Sequence, residues 1–333
     1  MIKYIGSKRV LVPRIVELVS GFGGDVRTVL DAFSGTSRVG HALKKAGYRV
    51  TANDHNAYAH CLGRCYVQAD GARVREDALR VLAELREVKP EAGYFTETFC
   101  VQARFFHPKN GARVDAMRDR IAEMDLDPDV EAVVLTSLME AADRVDSTCG
   151  VQMAYLKKWA PRAAKDLELR LPDIIDGEGT ALMLDAADLP EAGEWDLAYL
   201  DPPYNQHKYR NNYHVWETLV RWDAPPAYGV AMKRADCKEY QSPFNRKGQI
   251  ADAFADLCAR LPAKRLVVSF SDEGYLPRQQ ILDILEPLGD VTAFDHEFKR
   301  YVGAQIGIYN PSGEKVGKVS HLQNREFIFV VDR

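Results

Sequence analysis

Between residues 27 and 54 the chain spells out a strand, a turn, a helix and a second strand. Arg27-Thr28-Val29-Leu30-Asp31 is a short β-favouring run that stops at Phe33-Ser34-Gly35-Thr36-Ser37. Val39, Leu43 and Ala46 then recur at helical spacing, and Gly47 ends the helix. Tyr48-Arg49-Val50-Thr51-Ala52-Asn53-Asp54 reads as the second strand, with an acid at its end. A crossover helix between two neighbouring strands makes them parallel. The chain therefore opens an α/β sheet.

Further strands are expected at 180–184, 196–200, 265–270 and 326–331. Between them, residues 72–171 turn helical and charged, with segments at 76–88, 114–124 and 129–144. A block of that size is too long for an ordinary crossover and reads as an insertion. The expected organisation is one domain from 1–71 and 176–333, carrying a mostly helical inserted domain at 72–175. Hydrophobic residues at 46% and charged residues at 28% are ordinary for a globular protein. No apolar run approaches the roughly 20 residues that span a bilayer, and Met1-Ile2-Lys3-Tyr4 does not begin a signal peptide. Six scattered cysteines point to reduced thiols and a cytoplasmic location, with no membrane partner. Cys61 and Cys65 stand one helical turn apart near His55 and His60, but no second pair follows at zinc-site spacing. Core packing is the expected role, and no metal.

Ligands of an open parallel sheet sit beyond the carboxyl ends of its strands. Four such ends carry acids here: Asp31, Asp54, Asp185 and Asp201. One acid after a strand is commonplace, since Asp also caps helices and turns; four beside a glycine turn point to a site. The turn at 31–37 lacks G-x-G-x-x-G spacing, so it is a poor pyrophosphate cradle and argues against NAD or FAD. Asp54 suits both hydroxyls of a ribose, the role of a second-strand acid in nucleotide-binding sheets. An adenosine ligand without phosphates, bearing an ammonium group for Asp31, is S-adenosylmethionine.

The last of the four acids opens Asp201-Pro202-Pro203-Tyr204, directly after the apolar run 197–200. Two prolines fix φ and end the strand in an extended turn. Pro203 has no N–H, so the Pro202 carbonyl can point out of the fold beside the Asp201 carboxylate, with the Tyr204 ring as a flat wall. Two acceptors and an aromatic plate suit a planar base with an exocyclic –NH₂. The plain alternative is a strand-ending turn with a capping Asp.

At these residues the chain resembles the Dam-type, alpha-group adenine-specific DNA methyltransferases. Asp201-Pro202-Pro203-Tyr204 matches their DPPY signature, and residues 31–37 resemble their D/E-x-F-x-G-x-G motif. Residues 1–9 resemble their N-terminal lysine motif. The order of the motifs around the helical block is that of the alpha group. Two departures stand out: Ser37 replaces a glycine, and Tyr4-Ile5-Gly6-Ser7 replaces the tryptophan and one glycine of the first motif. The resemblance implies a Rossmann-like S-adenosylmethionine-dependent sheet with an inserted helical target-recognition domain. It implies methyl transfer to N6 of a flipped adenine in double-stranded DNA, without a covalent enzyme intermediate, and leaves room for a cognate restriction endonuclease as partner. Oligomeric state stays open. Tyr4, Ile5, Gly6 and Lys8 would line the cofactor, and Asp31, Phe33, Ser34, Gly35, Thr36 and Ser37 would form the turn around it. Asp54 would hold the ribose, and Asp185 with Ala186 would flank the cofactor adenine. Asp201, Pro202, Pro203 and Tyr204 would hold the target base, with Lys8 near it. An RNA adenine N6-methyltransferase and a non-catalytic adenosine-binding module are the alternatives.

A net charge of −4 is unusual for a DNA binder, but an average can hide a patch. Residues 205–250 hold eight basic against four acidic side chains, interleaved with Tyr204, Tyr209, Tyr213, Trp216, Trp222, Tyr228, Tyr240 and Phe244 around them. Such interleaving suits phosphates and stacked bases; a solvated loop with its own apolar anchor is the alternative. Lys208, Arg210, Lys233 and Arg234 are the expected phosphate contacts. Within 143–159, a polar turn leads into a helix start, where Gln152, Lys157 or Lys158 is expected on phosphate or base. There the alternative is a solvated helix face anchored through Tyr155 and Trp159.

Overall fold

In the computed structural model, residues 1–153, 156, 158–239, 241–299, 308–309, 315–317 and 323–333 are described. The elements run α1 (Val12–Ser20), β1 (Thr28–Asp31), α2 (Arg38–Lys45), β2 (Arg49–Asn53), α3 (Ala57–Gly63), α4 (Gly71–Arg86), α5 (Pro108–Glu123), α6 (Pro128–Arg144) and β3 (Thr180–Leu182). They continue as β4 (Trp195–Leu200), α7 (Tyr209–Asn212), α8 (His214–Arg221), β5 (Ala227–Tyr228), β6 (Lys233–Arg234), α9 (Ile250–Arg260), β7 (Ala263–Ser271), α10 (Arg278–Leu285), β8 (Asp290–Lys299), β9 (Ile308–Tyr309), β10 (Lys315–Gly317) and β11 (Gln323–Asp332). The chain divides into two compact units, residues 1–192 with 207–241 and residues 193–206 with 242–333.

In the first unit β1 pairs with β2 in parallel, Val29 opposite Val50 and Asp31 opposite Ala52. β2 pairs in parallel with β3, Asn53 opposite Leu182. The parallel βαβ expected from the first 54 residues is what forms. Its strand interiors, Val29, Leu30, Val50 and Ala52, are buried. Between β2 and β3 the described residues hold helices and irregular segments, and sequence signals mark where the helices begin. Asp127 caps α6 through the Asp129 and Val130 N–H groups, and Pro128 occupies the first turn where its missing N–H is harmless. His107 caps α5 in the same way, ahead of Pro108.

These helices share one apolar core with α3 and α8: Tyr58, Leu62 and Tyr66 pack with Val81, Leu82, Phe95, Phe99, Leu138, Val215, Trp216 and Leu219. Cys61 and Cys65 belong to that core. The Cys61 thiol donates to the Ala132 carbonyl at 3.7 Å, and burial pushes it up to about 12.

In the second unit β4 pairs in parallel with β7, Leu200 opposite Val268. β11 then runs antiparallel to both β7 and β8. Both units are of the α/β class, and parallel pairing is found in each.

Candidate active site

In the first unit the turn after β1 is locked from two sides. The Ser34 N–H donates to the Asn53 carbonyl at 2.8 Å, and the Ser37 N–H to the Ser34 carbonyl at 2.6 Å. Gly35 sits in the left-handed region (φ 50°), and a Cβ there would stand 3.2 Å from the Tyr4 ring. Only glycine lets that ring lie on the turn. Ser37, where the family motif has its last glycine, is also left-handed (φ 55°) and fully buried. It stands at the N-cap of α2 but makes no side-chain cap, so the serine there does not cap the helix as its type would allow. A left-handed non-glycine residue costs about 1–2 kcal/mol.

Asp54 fastens the same turn. Its Oδ2 accepts the Gly35 N–H at 3.1 Å, and its Oδ1 accepts both the backbone N–H and the side-chain amide of Asn56 at 2.9 Å. A carboxylate offers about four acceptor positions. Three are used within the chain, so Asp54 has room for about one ribose hydroxyl rather than both. Asp31 is 1% exposed and accepts the Gly40 N–H at 2.9 Å on Oδ2. A Cβ at Gly40 would stand 3.1 Å from that oxygen, so the glycine is what lets α2 approach the strand tip.

Asp185 caps the short helical turn 186–191 through the Ala187 N–H, and Ala186 is buried. What ties that tip to the first two was not foreseen: Asn53. Its Nδ2 donates to the Ala32 and Leu184 carbonyls, each at 3.2 Å, and its Oδ1 accepts the Leu184 N–H at 3.0 Å. A buried amide with donors and acceptor all engaged fixes register. An Asn ending a strand just before an acid was the available signal.

Tyr4 stacks on Tyr213 (4.5 Å, 15°) and Tyr209 (5.1 Å, 10°), and its hydroxyl lies 3.2 Å from that of Tyr58. Burial, with Tyr58 and Asp54 next in order, holds the Tyr4 phenol well above its usual pKa. The Ile5 N–H donates to the Tyr213 hydroxyl at 2.6 Å. An aromatic slab thus stands where the motif has tryptophan. Gly6 is left-handed (φ 72°), and Lys8 is buried at 7% exposure, not a surface lysine. Phe33 is half-buried; Ser34 and Thr36 are buried.

In the second unit Asp201-Pro202-Pro203-Tyr204 leaves β4 without secondary structure. The Tyr204 carbonyl accepts the Tyr275 N–H at 2.8 Å, and the Tyr204 ring tilts against Phe270 at 6.4 Å. A Cβ at Gly274 would lie 3.3 Å from the Tyr204 Cβ, so that glycine lets the β7–α10 connection close onto the motif. The Asn205 carbonyl accepts from the Asn245 amide at 2.8 Å. The corner is braced by segments that periodicity did not single out.

Part of the basic stretch 205–250 is turned inward. Arg234, expected on phosphate, is 2% exposed and wholly engaged inside. It donates to both oxygens of Asp223 at 2.7 Å, to Asp236 at 3.2 and 3.0 Å, and to the Thr218 hydroxyl at 3.2 Å. Tyr213, Trp216 and Phe244 are core residues, not stacking platforms. Lys208, Arg210 and Lys233 are half-buried, and Arg210 Nε donates to Asn56 at 3.4 Å.

Gln152 is buried, its amide oxygen accepting the Val215 N–H at 3.0 Å, so it reaches neither phosphate nor base. Residues 151–153 form bends and turns, and the lysine-bearing helix start expected after them lies largely outside the described residues. Lys158 is exposed, while Tyr155, Lys157 and Tyr240 lie outside the described residues.

The glycine turn and acid-tipped strands of the first unit, and the DPPY strand end of the second, fit an adenine-directed methyltransferase. Residues 4–271 match the D12 class N6 adenine-specific DNA methyltransferase family, and the chain belongs to it. It is 27% identical to the Type II methyltransferase M.NlaIII of Neisseria lactamica, across 97% of this chain and 99% of that protein. It is 29% identical to the Type II methyltransferase M.CviAII of Paramecium bursaria Chlorella virus 1, across 90% and 92% of the two chains. M.FokI of Planomicrobium okeanokoites is 30% identical, across 86% of this chain but 47% of its own.

Proposed function

We propose that this chain methylates N6 of an adenine flipped out of double-stranded DNA, with S-adenosylmethionine as donor. What carries the reading is an intact DPPY strand end in a chain matched to the adenine family over residues 4–271. When bound, S-adenosylmethionine supplies a methyl group on a positively charged sulfonium. The donor set suits that ligand: the one acceptor position left on Asp54 takes a ribose hydroxyl, and the turn 33–37 with Tyr4 forms a close wall. Asp31 takes the ammonium group, while Asp185 and Ala186 flank the adenine of the cofactor.

Asp201 and the Pro202 carbonyl accept the two amine hydrogens of the target base, and Tyr204 stacks on its ring. Flipping the base costs roughly a few kcal/mol, and stacking returns roughly 1–3 kcal/mol. Held so, the nitrogen keeps its lone pair outside the ring plane. Asp201 stabilises the positive charge that grows on it, and the surplus proton leaves to solvent afterwards. The helical block 72–175 reads the target sequence. Relatives named as type II methyltransferases favour a cognate endonuclease as partner, and membership of a DNA methyltransferase family favours the cytoplasm as the place of action.

Asp201→Ala should lower tritium transfer to duplex DNA by roughly 10²–10³-fold or more. Cofactor affinity, read by calorimetry with a non-reactive analogue, should stay within about twofold, since a residue that holds only the base removes no uniform binding of the cofactor. Retained turnover, or a loss confined to cofactor binding, would refute the assignment.

A further inference from the structure

The net charge of the chain is −4, yet two stretches, 98–114 and 147–165, contain no aspartate or glutamate. The first holds Arg104, Lys109 and Arg113; the second holds Lys157, Lys158, Arg162 and Lys165. The fold brings these stretches together. Phe106 bridges Asp146, and the Ser147 N–H donates to the Phe105 carbonyl at 2.7 Å. The Asn110 amide donates to the carbonyls of Ala163 (3.3 Å) and Lys165 (2.9 Å), and Lys109 Nζ donates to that of Ala164 at 2.6 Å.

At the seam stands Trp159, still 36% exposed. The Arg104 guanidinium lies 4.9 Å from its ring centroid, and the His107 ring 5.5 Å away. Arg104 reaches it from a left-handed backbone (φ 54°), a conformation that L residues avoid unless their surroundings impose it. Two of the cations are engaged within the protein: Arg162 with Asp146, and Lys109 with Asp166. Arg104, Lys158 and Lys165 are turned to no acid among the described residues, and the two lysines are exposed. In 205–250, by contrast, Arg234 is internal and Arg221 is paired with Asp236.

We propose that this face grips the sugar–phosphate backbone of duplex DNA, with Arg104, Lys158 and Lys165 on phosphates and the Trp159 indole against a sugar edge. A positive surface with an exposed indole, whose acids Asp146 and Asp166 are paired with Arg162 and Lys109, complements a polyanion with apolar sugar edges. The proposal rests on the reading of this chain as a DNA methyltransferase and adds which of its surfaces the duplex occupies.

The test uses the full chain and mixed-sequence duplex DNA. Binding is followed by anisotropy over a series of salt concentrations, and methyl transfer by tritium incorporation. Each phosphate contact contributes about 0.9 to the slope of log affinity against log salt. Lys158→Glu with Lys165→Glu should therefore lower the slope by about 2 and raise KM for DNA by roughly tenfold, with cofactor affinity unchanged. Arg104→Gly suits the left-handed backbone, so a slope reduced by about 1 in that variant is not a folding defect. Trp159→Ala should weaken binding roughly 3–10-fold at every salt concentration.

Wild-type slope and KM in the double variant, or a preference of this face for duplex RNA, would overturn the proposal. So would a loss confined to Lys208→Ala with Lys233→Ala. A wild-type chain that binds duplex DNA with these slopes but transfers no methyl group would refute the methyltransferase reading and leave the face standing.

Discussion

A carboxylate at a strand tip is legible in a sequence; how many of its lone pairs are already taken is not. Asp54 was identified from its place after β2, but the Gly35 and Asn56 N–H groups that occupy it are set by how the turn folds back. Asn53 escaped notice for the same reason, since its contacts lie 21 and 131 residues away. Ser37 shows the converse. Its departure from the glycine motif is plain in the sequence, whereas the left-handed backbone that gives glycine its advantage appears only in the fold. Ser37→Gly should relieve about 1–2 kcal/mol of strain and give back about 0.5–1 kcal/mol through a looser unfolded chain. A net gain of up to about 1.5 kcal/mol in urea unfolding is expected, with cofactor affinity retained. A loss of stability would show that the Ser37 side chain contributes more than its strain removes.

Elements with buried interiors were the readable ones. β1, β2, β4 and β7 carry apolar runs and α6 has a capped start, so their bounds agree with expectation to within two residues, whereas α4 and α5 begin five and six residues before the expected 76 and 114. β8 was missed because Asp290, Asp295, His296 and Glu297 give an edge strand the look of a loop, although it pairs with β11 along its full length. α8 was hidden inside a stretch read for its charges and rings, yet residues 214–219 are all buried. Its start is held by Gln152, whose backbone carbonyl accepts the His214 Nε2–H at 2.8 Å while its amide takes the Val215 N–H. Gln152→Leu would leave the Val215 N–H buried without a partner, at a cost of about 1–3 kcal/mol. Urea unfolding should show that loss, and Gln152→Glu, which keeps an acceptor at the same reach, should recover part of it. Equal stability of Gln152→Leu and wild type would show that the segment is anchored elsewhere.

At the scale of the whole chain, the α/β class and the presence of the helices α4 to α6 followed from element order. The core that those helices share with α3 and α8 did not, because periodicity marks an apolar face without naming what covers it. Two titrating groups tied to that core oppose each other as pH falls. Burial lowers the pKa of His214 to about 4, so between its ordinary value and about 4 the unfolded chain holds the extra proton. Its contribution is fully present above pH 6.5 and is lost as pH falls to about 4. Burial raises Asp143 to about 6, against the pull of Lys3, so the folded chain holds the extra proton between the ordinary aspartate value and about 6. Charged Asp143 therefore opposes folding above about pH 6, and that penalty is relieved as pH falls. Each effect is on the order of 3 kcal/mol at full extent, from shifts of roughly two units. They cancel over much of the range from pH 4 to 6. Asp143→Asn removes only the second, and its Oδ can still accept the Lys3 N–H, bonded to Asp143 at 3.0 Å in the native chain. The variant should therefore gain stability at pH 7.5 but lose it more steeply than wild type between pH 6.5 and 4.5. Urea unfolding across that range measures the slopes directly, and parallel curves for the two proteins would mean that Asp143 is already ionised in the folded chain throughout.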